Sequence, residues 1–435
     1  MAQEQFAFDT LKVRGGYNPK EHNNASSVPI YQTASYELGD TERVARLFSF
    51  SELGYLYTRI GNPTVAVLEQ RLAALDGASG ALAVASGMAA VTYTLLNLTE
   101  GGGRILTTPQ LYGGTYDSFK KVYATFGVGI DLVLDPTDLD QFRKAIRPET
   151  RAIYVESISN PNAVVADIEA LANLAHEYNI PLVVDNTVAT PYLFNPLRYG
   201  ADIVVYSATK ALGGHGNAIA GLIVESGKFN WGSGKFPQFL QPHYTLRDAG
   251  GKERSILEVF PDAPFTFRVR LNYLAYFGAA LSPSDAYLIL LGVETLSERV
   301  QKQVANTEKI VAYLETQPGV SWVKHPSAKA SPYRRLAQKY LTKGAGSLLS
   351  FGFNGTSEQL NLFIDSVRLF SYQANIGDAK SLIINSPKTT HGELTAEEQR
   401  LADISPETIR LSIGLEDPDD LIRDLQQAFD KALAV

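Results

Sequence analysis

The chain has 435 residues, 45% of them hydrophobic and 20% charged, with a formal net charge of −7. This length and apolar content allow a large buried core, which excludes intrinsic disorder and predicts two or three domains. The chain contains no cysteine, which excludes disulfides, cysteine nucleophiles and cysteine-ligated zinc or iron–sulfur centres.

The N-terminal segment does not resemble a targeting signal. It includes Glu4, Asp9, Lys12 and Arg14 and lacks the apolar core of a secretory peptide. The apolar run 286–293 is far shorter than the ~20 residues that span a bilayer. The chain also has no long basic run that would favour nucleic acid or anionic lipid. We therefore expect a cytoplasmic protein whose partners include neither nucleic acid nor a membrane.

The first segment predicts an arm rather than a domain. Residues 1–62 are rich in Asn, Ser, Pro and Tyr, a composition typical of irregular structure. A helix is predicted to follow from Asn62 to Asp76, because Pro63 lies in its first turn and Gly77 lies just beyond its end. The arm has too little apolar material for a core of its own.

A regular alternation of strands and helices follows and defines a first domain over residues 63–295. The predicted strands are short runs, β-branched or leucine-rich, at 81–86, 104–108, 130–135, 151–157, 181–187, 201–207 and 220–226. They are apolar without strict alternation, which is typical of strands buried on both faces of a parallel sheet. Helices are predicted between them, at 137–146 and 167–178. This pattern predicts an α/β fold with a mostly parallel sheet.

The remainder of the chain is less regular. Residues 232–266 are rich in Gly, Pro and aromatics, and so long a connection is uncommon unless it lines a site or an interface. Helical patterns resume near Phe267. Residues 296–435 mix helices with short strands such as 347–353, which predicts a second, smaller α/β domain.

Several common catalytic signatures are absent from the sequence. No segment fits the Walker phosphate loop, and the glycines at 213–221 do not have the spacing of a dinucleotide-binding fingerprint. Neither a GxSxG elbow nor an HExxH pair is present, and the six histidines are scattered. We therefore expect no metal site.

Two strand ends carry the candidate chemistry. Asp185 follows three apolar residues, and Ser207, Thr209 and Lys210 end the next predicted strand. Open α/β sheets bind ligands at the carboxyl ends of their strands. A lysine that leaves a buried strand is suited to desolvation, which lowers the pKa of its amine and makes it nucleophilic. These residues alone leave open whether Lys210 and Asp185 are a site or a structural ion pair.

A further candidate is the start of a predicted helix. Ser86 and Gly87 lie between a strand and a helix, where free backbone N–H groups and the helix dipole favour an anion. A Ser-Gly turn is also a common helix cap, so the pattern alone leaves both interpretations open.

Taken together, these features resemble the pyridoxal-phosphate-dependent enzymes of Cys/Met metabolism. The strings that carry the likeness are YTRIGNPT (57–64), ASGMAA (85–90), LYGGTY (111–116), ESISNP (156–161), VVDNTVATP (183–191), SATKALGGHG (207–216) and RLSIGLED (410–417). The likeness extends from 28–36 to 416–421. It implies fold type I, the aspartate aminotransferase-like architecture, with a large mostly parallel-sheet domain and a smaller C-terminal α/β domain.

The resemblance also implies residue roles around pyridoxal 5′-phosphate. Lys210 would bind the cofactor covalently and carry protons, Asp185 would face the pyridine nitrogen, and Tyr112 would stack on the ring. Asn160 would lie near the 3′-oxygen, with Thr187 beside Asp185. The phosphate would be bound by the residues of the helix start and of the following strand end, namely Ser86, Gly87, Met88, Ser207 and Thr209.

The resemblance implies a homo-oligomer with shared active sites. Tyr57 and Arg59 of the arm would reach the phosphate in the neighbouring subunit, which makes a dimer the minimum and a tetramer the expected assembly. Tyr57 and Tyr112 are both candidates for proton transfer. Arg410 would bind the substrate carboxylate, with Asn375 beside it.

Within the family, the loop 374–385 is most similar to that of the enzymes that act on O-acetylhomoserine, although that version usually continues with a His-Pro pair, whereas this chain has Asn385, Ser386 and Pro387. The implied reaction is γ-replacement of acetate by sulfide or methanethiol, giving homocysteine or methionine. Alternatives on the same scaffold are cystathionine γ-synthase, O-succinylhomoserine sulfhydrylase and methionine γ-lyase activity. The alternative from another class is a non-catalytic α/β scaffold.

Overall fold

The computed structural model describes residues 6–100, 102–248 and 250–435. The N-terminal segment is more ordered than the sequence predicted. It contains helices α1 (Phe8–Arg14) and α2 (Thr41–Phe48) and a 3₁₀ turn (Pro19–His22). The expectation of an irregular arm is therefore wrong in part. Helix α1 is short, and it is held by the body of the protein, because Lys12 donates hydrogen bonds to Ser297 and Glu298.

Helix α3 (Pro63–Asp76) begins and ends where the sequence indicated. The side chain of Asn62 caps its first turn by accepting a hydrogen bond from the Thr64 amide, and Gly77 ends it in the left-handed conformation. The helix packs on the large sheet, so the arm and the first domain join here.

The large sheet contains the seven strands that the sequence predicted. They are β1 (Gly80–Val84), β2 (Arg104–Thr107), β3 (Gly129–Leu132), β4 (Thr150–Glu156), β5 (Leu182–Asp185), β6 (Ile203–Ser207) and β7 (Gly221–Glu225). Their order is β1-β7-β6-β5-β4-β2-β3, and β7 runs antiparallel to both of its neighbours while the other pairs are parallel. The prediction of a mostly parallel sheet is confirmed.

Helices cover both faces of this sheet. They are α4 (Gly87–Thr99), α5 (Gly113–Lys121), α6 (Leu139–Ala145), α7 (Ile168–Glu177) and α8 (Thr190–Leu193), with 3₁₀ turns at Tyr123–Phe126 and Pro196–Tyr199. Two apolar clusters of buried side chains lie on the opposite faces of the strands. The strand interiors are almost fully buried, which explains why they are apolar without alternation.

The segment after β7 has more structure than the sequence indicated. It contains a 3₁₀ turn (Pro237–Phe239), a hairpin of β8 (Pro242–Arg247) and β9 (Glu253–Ser255), the helices α9 (Ile256–Val259), α10 (Pro264–Arg268) and α11 (Ala275–Phe277), a π turn (Val269–Leu274) and α12 (Pro283–Glu294). Its aromatics are core residues: the Trp231 ring packs 4.4 Å from Phe239 and 5.2 Å from Phe265, centroid to centroid. The long connection over 232–266, whose sequence has only weak periodicity, therefore contains several regular elements.

The C-terminal region forms a second α/β layer. Its elements are α13 (Leu296–Leu314), β10 (Val320–Lys324), α14 (Arg334–Tyr340), β11 (Leu348–Phe353), α15 (Ser357–Ser366), β12 (Ser371–Tyr372), β13 (Leu382–Asn385), a 3₁₀ turn (Ser386–Lys388), α16 (Ala396–Leu401), β14 (Thr408–Ser412) and α17 (Pro418–Leu433). The sheet order is β10-β11-β14-β13-β12, with antiparallel pairs except β12 and β13. Over the described residues, no helix combines the length and apolar content needed to cross a bilayer.

Candidate active site

A cavity of about 250 Å³ lies where the carboxyl ends of β4, β5 and β6 meet the start of α4 and the C-terminal region. It brings together twelve of the fourteen sequence-predicted site residues from seven separate stretches of the chain. They are Ser86, Gly87, Met88, Tyr112, Asn160, Asp185, Thr187, Ser207, Thr209, Lys210, Asn375 and Arg410. Parallel strands end at the same edge of a sheet, so the fold accounts for much of this convergence.

One end of the cavity is built to bind an anion. The Ser86 side chain caps α4 by accepting a hydrogen bond from the Ala89 amide (3.1 Å), which leaves the first-turn amides of Gly87 and Met88 without a carbonyl partner inside the helix. A Cβ on Gly87 would lie 2.6 Å from that of Ser207, so only glycine allows the helix start to approach β6 this closely. The first-turn amides of α4 and the side chain of Ser207, the two candidate anion ligands, therefore face the same end of the cavity.

Thr209 is already engaged with its own backbone neighbourhood. Its hydroxyl oxygen accepts a hydrogen bond from the Ala220 amide (3.0 Å), and the hydroxyl donates to the Ala220 carbonyl (3.3 Å). To bind an anion, the hydroxyl would have to turn its proton away from that carbonyl, which costs one weak hydrogen bond.

Lys210 points its amine into the cavity. It follows β6 and enters a turn in which the Gly214 amide donates to the Lys210 carbonyl (2.8 Å). Its Nζ donates to Asn375 Oδ1 at 2.6 Å. Burial, followed by the positive charge of Arg410, lowers the pKa of Lys210 to about 8. Roughly a tenth of the amine is therefore unprotonated at pH 7, far more than for an ordinary lysine, and the unprotonated amine is the nucleophilic form.

Asp185 lies at the carboxyl end of β5, where its side chain reaches the cavity. The Thr187 amide donates to Asp185 Oδ1 (2.9 Å), and the Tyr154 hydroxyl donates to Oδ2 (3.3 Å). Burial raises the pKa of Asp185, and these donors oppose that shift by stabilising the carboxylate. The Thr187 hydroxyl also accepts a hydrogen bond from the Ser207 amide (2.8 Å), which joins the ends of β5 and β6.

Glu156 also lines the cavity, and sequence reasoning gave it no role. The register of β4 and β5 pairs it with Asp185. Its carboxyl oxygens accept the amide hydrogens of Tyr112 (2.6 Å) and Asn160 (3.0 Å), so it fixes the two loops that carry those side chains. Burial, followed by the charge of Asp185, raises the pKa of Glu156 well above its usual value. Two adjacent buried carboxyls cannot both ionise easily, which is why the charge of Asp185 adds to the effect of burial on Glu156.

Arg410 is a buried guanidinium on β14. It is only 2% exposed, and it donates to Asn160 Oδ1 and to the Asn375 carbonyl, each at 3.0 Å. Burial lowers its pKa to about 10, so it remains charged at neutral pH. No carboxylate among the described residues forms an ion pair with it. A planar cation that faces a cavity in this way is suited to a bidentate carboxylate ligand.

Tyr112 lies at the rim of the cavity and is 41% exposed. A Cβ on Gly113 would lie 2.1 Å from the Thr390 carbonyl oxygen, and one on Gly114 would lie 2.7 Å from the Tyr112 ring. Both glycines are therefore required for the loop to pack against the C-terminal region and for the ring to lie over its own backbone.

Tyr57 and Arg59 are not brought to this cavity. They lie with Gly278 and Leu281 in a separate, open cavity of about 410 Å³, where the Arg59 guanidinium is 5.1 Å from the centroid of the Tyr57 ring. Both side chains are exposed in the single chain. The cavity around Lys210 thus contains every predicted ligand except these two.

The remaining cavity-lining residues that the sequence reasoning missed are mostly apolar. Besides Glu156 they are Val91, Thr115, Ile158, Val188, Ile219, Ala374, Ile376 and Thr390. Glu156 could have been found, because it ends a predicted strand next to the strand of Asp185. The apolar residues carry no signal that separates them from ordinary core.

The donor set fits pyridoxal 5′-phosphate. A helix start for a phosphate, a desolvated amine for an aldehyde and a buried carboxylate for a ring nitrogen line the same cavity. The guanidinium of Arg410 adds a site for an amino-acid carboxylate. Fold and site together define a fold type I enzyme that acts on amino acids.

The comparison with known families gives the same result. Residues 9–430 match the model of the Cys/Met metabolism PLP-dependent enzyme family. The chain belongs to this family.

Individual relatives cover nearly the whole chain. A sulfhydrylase of Gibberella moniliformis is 44% identical over 99% of both chains, and the O-acetyl-L-homoserine sulfhydrylase of Leptospira meyeri is 43% identical over 97% of this chain and 96% of its own. A Campylobacter jejuni crystal structure that contains N′-pyridoxyl-lysine-5′-monophosphate superposes with a TM-score of 0.93 and 38% identity, covering 98% of this chain and all of that one. The predicted fold class is confirmed.

Proposed function

We propose that the protein converts O-acetyl-L-homoserine and sulfide into L-homocysteine and acetate, and that methanethiol can replace sulfide to give methionine. The observation that carries this proposal is the convergence of the Lys210 amine, the Arg410 guanidinium and the α4 start in one cavity. Relatives of 40–43% identity named as O-acetyl-L-homoserine sulfhydrylases or homocysteine synthases support the choice of substrate.

Arg410 would hold the substrate through its α-carboxylate. Its guanidinium is fixed by the side chain of Asn160 and the carbonyl of Asn375, so little conformational entropy is lost when the carboxylate binds. Asn375 contacts both groups, because its side chain accepts a hydrogen bond from Lys210 and its backbone carbonyl accepts one from Arg410.

The cofactor would be held by Lys210 covalently, by the α4 start and Ser207 at its phosphate, and by Asp185 at its ring nitrogen. When bound, pyridoxal 5′-phosphate supplies an electron sink for the charge that develops at the substrate α-carbon. The Asp185 carboxylate would keep the ring nitrogen protonated through a charge-assisted hydrogen bond. Tyr112 would cover the ring face.

Proton movement would fall to Lys210. A lowered pKa lets its amine accept the α-proton and return a proton at a later step, which is the property a general base needs near neutral pH. Acetate is a good leaving group, so its departure from the γ-carbon needs no strong acid. We propose Tyr112 at the cavity rim, and Tyr57 supplied by a neighbouring subunit, for further proton transfer.

The test of this function is the product ratio. Given O-acetyl-L-homoserine and sulfide, the purified protein should form homocysteine with little 2-oxobutanoate, measured in the steady state. O-succinyl-L-homoserine and cysteine, offered separately in parallel reactions, serve as matched controls for the acyl group and the sulfur donor. Predominant 2-oxobutanoate would instead make the protein a methionine γ-lyase, and faster turnover of either control would reassign it to the corresponding synthase.

We also propose three parts for the chain: an arm (1–62) that reaches a neighbouring subunit, a cofactor-binding domain (63–295) and a C-terminal domain (296–435). The position of Tyr57 and Arg59 outside the Lys210 cavity supports shared sites in a dimer, with two dimers forming a tetramer. An Arg59→Ala chain co-expressed with a Lys210→Ala chain should then regain partial activity, because one site of a mixed dimer has both residues intact. A fully active monomer in sedimentation, or no recovery in the mixture, would contradict this.

A further inference from the structure

The turn that follows Lys210 and the loop that carries Asn375 are packed against each other directly. We refer to residues 211–216 as the lysine turn and to residues 374–380 as the asparagine loop. The Ala379 amide donates to the Gly214 carbonyl at 2.9 Å, in addition to the contact between Lys210 Nζ and Asn375 Oδ1. The first segment belongs to the cofactor-binding domain and the second to the C-terminal domain.

Glycines allow this close approach. A Cβ on Gly377 would lie 2.7 Å from the Ala211 amide nitrogen, and one on Gly216 would lie 2.6 Å from Asp378 Oδ2. Both glycines also have positive φ values, +68° and +63°. At Gly377 the contact is between backbones, so no flexible side chain is present there to absorb a change in spacing.

Helix α13 holds both segments from one face. The Arg299 guanidinium donates to the carbonyl oxygens of Ala211 (2.9 Å) and Leu212 (3.3 Å), and the Gln303 amide group donates to the Asp378 carbonyl (2.8 Å). Residues four apart lie one above the other on a helix, so Arg299 and Gln303 are one turn apart on the same stripe.

Both side chains are buried outside the cavity. Arg299 is 6% exposed and Gln303 is 1% exposed, and neither lines the cavity. No carboxylate among the described residues forms an ion pair with Arg299, whose acceptors include the carbonyl of Gly292 and the hydroxyl of Thr295. A buried guanidinium without a carboxylate partner is costly, so its carbonyl contacts must compensate for lost hydration.

We propose that Arg299 and Gln303 are positioning residues, and that one turn of α13 sets the distance between the Lys210 amine and the Asn375 side chain. Arg299 fixes the lysine turn and Gln303 fixes the asparagine loop. The helix thereby couples the group that would bind the cofactor to the group that would bind the amino acid.

The test removes the Gln303 hydrogen bond with little change in volume. In a Gln303→Met variant the Asp378 carbonyl loses a buried donor, so the asparagine loop should open more often, by about tenfold. Hydrogen exchange of the full-length holoprotein without substrate should show this acceleration in peptides that cover 374–380. This readout does not depend on which reaction the enzyme catalyses.

The kinetic part of the test rests on the proposed function. The KM for O-acetyl-L-homoserine should rise about tenfold in Gln303→Met, while the affinity for pyridoxal phosphate stays within about twofold of the parent. Val311→Ala is the control, because Val311 is a buried residue of the same helix that belongs to the separate C-terminal core. Unchanged exchange in Gln303→Met, or equal acceleration in both variants, would overturn the proposal even if the protein turns over another substrate. Accelerated exchange with no activity on O-acetyl-L-homoserine would instead contradict only the proposed function.

Discussion

Replacement of Lys210 by alanine is expected to reduce turnover at least about ten-thousandfold while leaving the protein folded. Among the described residues that line the cavity, Lys210 is the one that offers an amine, and the guanidinium of Arg410 cannot act as a base at neutral pH. The variant should therefore lose both the covalent attachment point and the proton carrier. Steady-state homocysteine formation, with circular dichroism for the fold, measures this. Activity within about a hundredfold of the parent would contradict the assignment.

The pKa of Lys210 provides an independent check. With the cofactor removed, labelling of Lys210 by a small acylating reagent should rise as the pH passes through about 8, whereas exposed lysines respond nearer their usual 10.5. The folded pKa lies below the unfolded value, so the unfolded chain binds more protons between these two pH values. This group's contribution to the free energy of unfolding therefore rises with pH over that window, and Lys210→Ala should abolish it.

The predicted site residues that the fold brings together in the cavity share a physical origin. Asp185 ends a buried parallel strand and Lys210 closely follows another, and an apolar run followed by a polar residue is a local signal in the sequence. The start of α4 is equally local, because a cap and the amides it exposes lie within four residues of one another. A residue that the sequence pattern places at a strand end or at a helix start is therefore already predicted to line the cavity.

The features that sequence reasoning missed depend on contacts distant in the chain. Glu156 takes its role from the Tyr112 amide, 44 residues away, and from Asp185 on the next strand. Helix α1 is too short to be stable by itself, and it forms because Lys12 reaches the start of α13 and because the Gly15 carbonyl accepts from Arg71. The hydrophobic pattern of a sequence does not reveal hydrogen-bond partners that are distant in the chain.

The segment 232–266 shows a different limit. Its aromatics have no helical or strand period, yet Phe236 and Phe239 are fully buried and complete one face of the large sheet. The burial of these aromatic rings is determined by how they pack against one another and not by the periodicity of a helix or strand. Tyr57 and Arg59 show a third limit, since nothing in the single chain brings them to Lys210.

Replacement of Asp185 by asparagine is expected to lower kcat/KM about a hundredfold with little loss of stability. The amide keeps the size of the carboxylate and can still accept the Thr187 hydrogen bond, but it has no charge with which to hold a proton on a ring nitrogen. Removing that charge should also lower the pKa of Glu156 toward its usual range, because repulsion by Asp185 is the second cause of its elevation. Thermal unfolding should therefore show a midpoint equal to or above that of the parent, since a buried charge beside a second carboxyl has been removed.

Glu156→Gln is the matched control for this prediction, because it changes the neighbouring carboxyl and keeps Asp185. Glutamine retains one oxygen acceptor for the amides of Tyr112 and Asn160 and turns its NH₂ group toward the other, so one loop loses its partner. That variant should alter substrate binding through the position of Tyr112 or Asn160, which appears in KM, whereas Asp185→Asn acts on the chemical step, which appears in kcat. Equal changes in both parameters in the two variants would mean that the carboxyls act as one structural unit, and Asp185 would then have no separate electronic role.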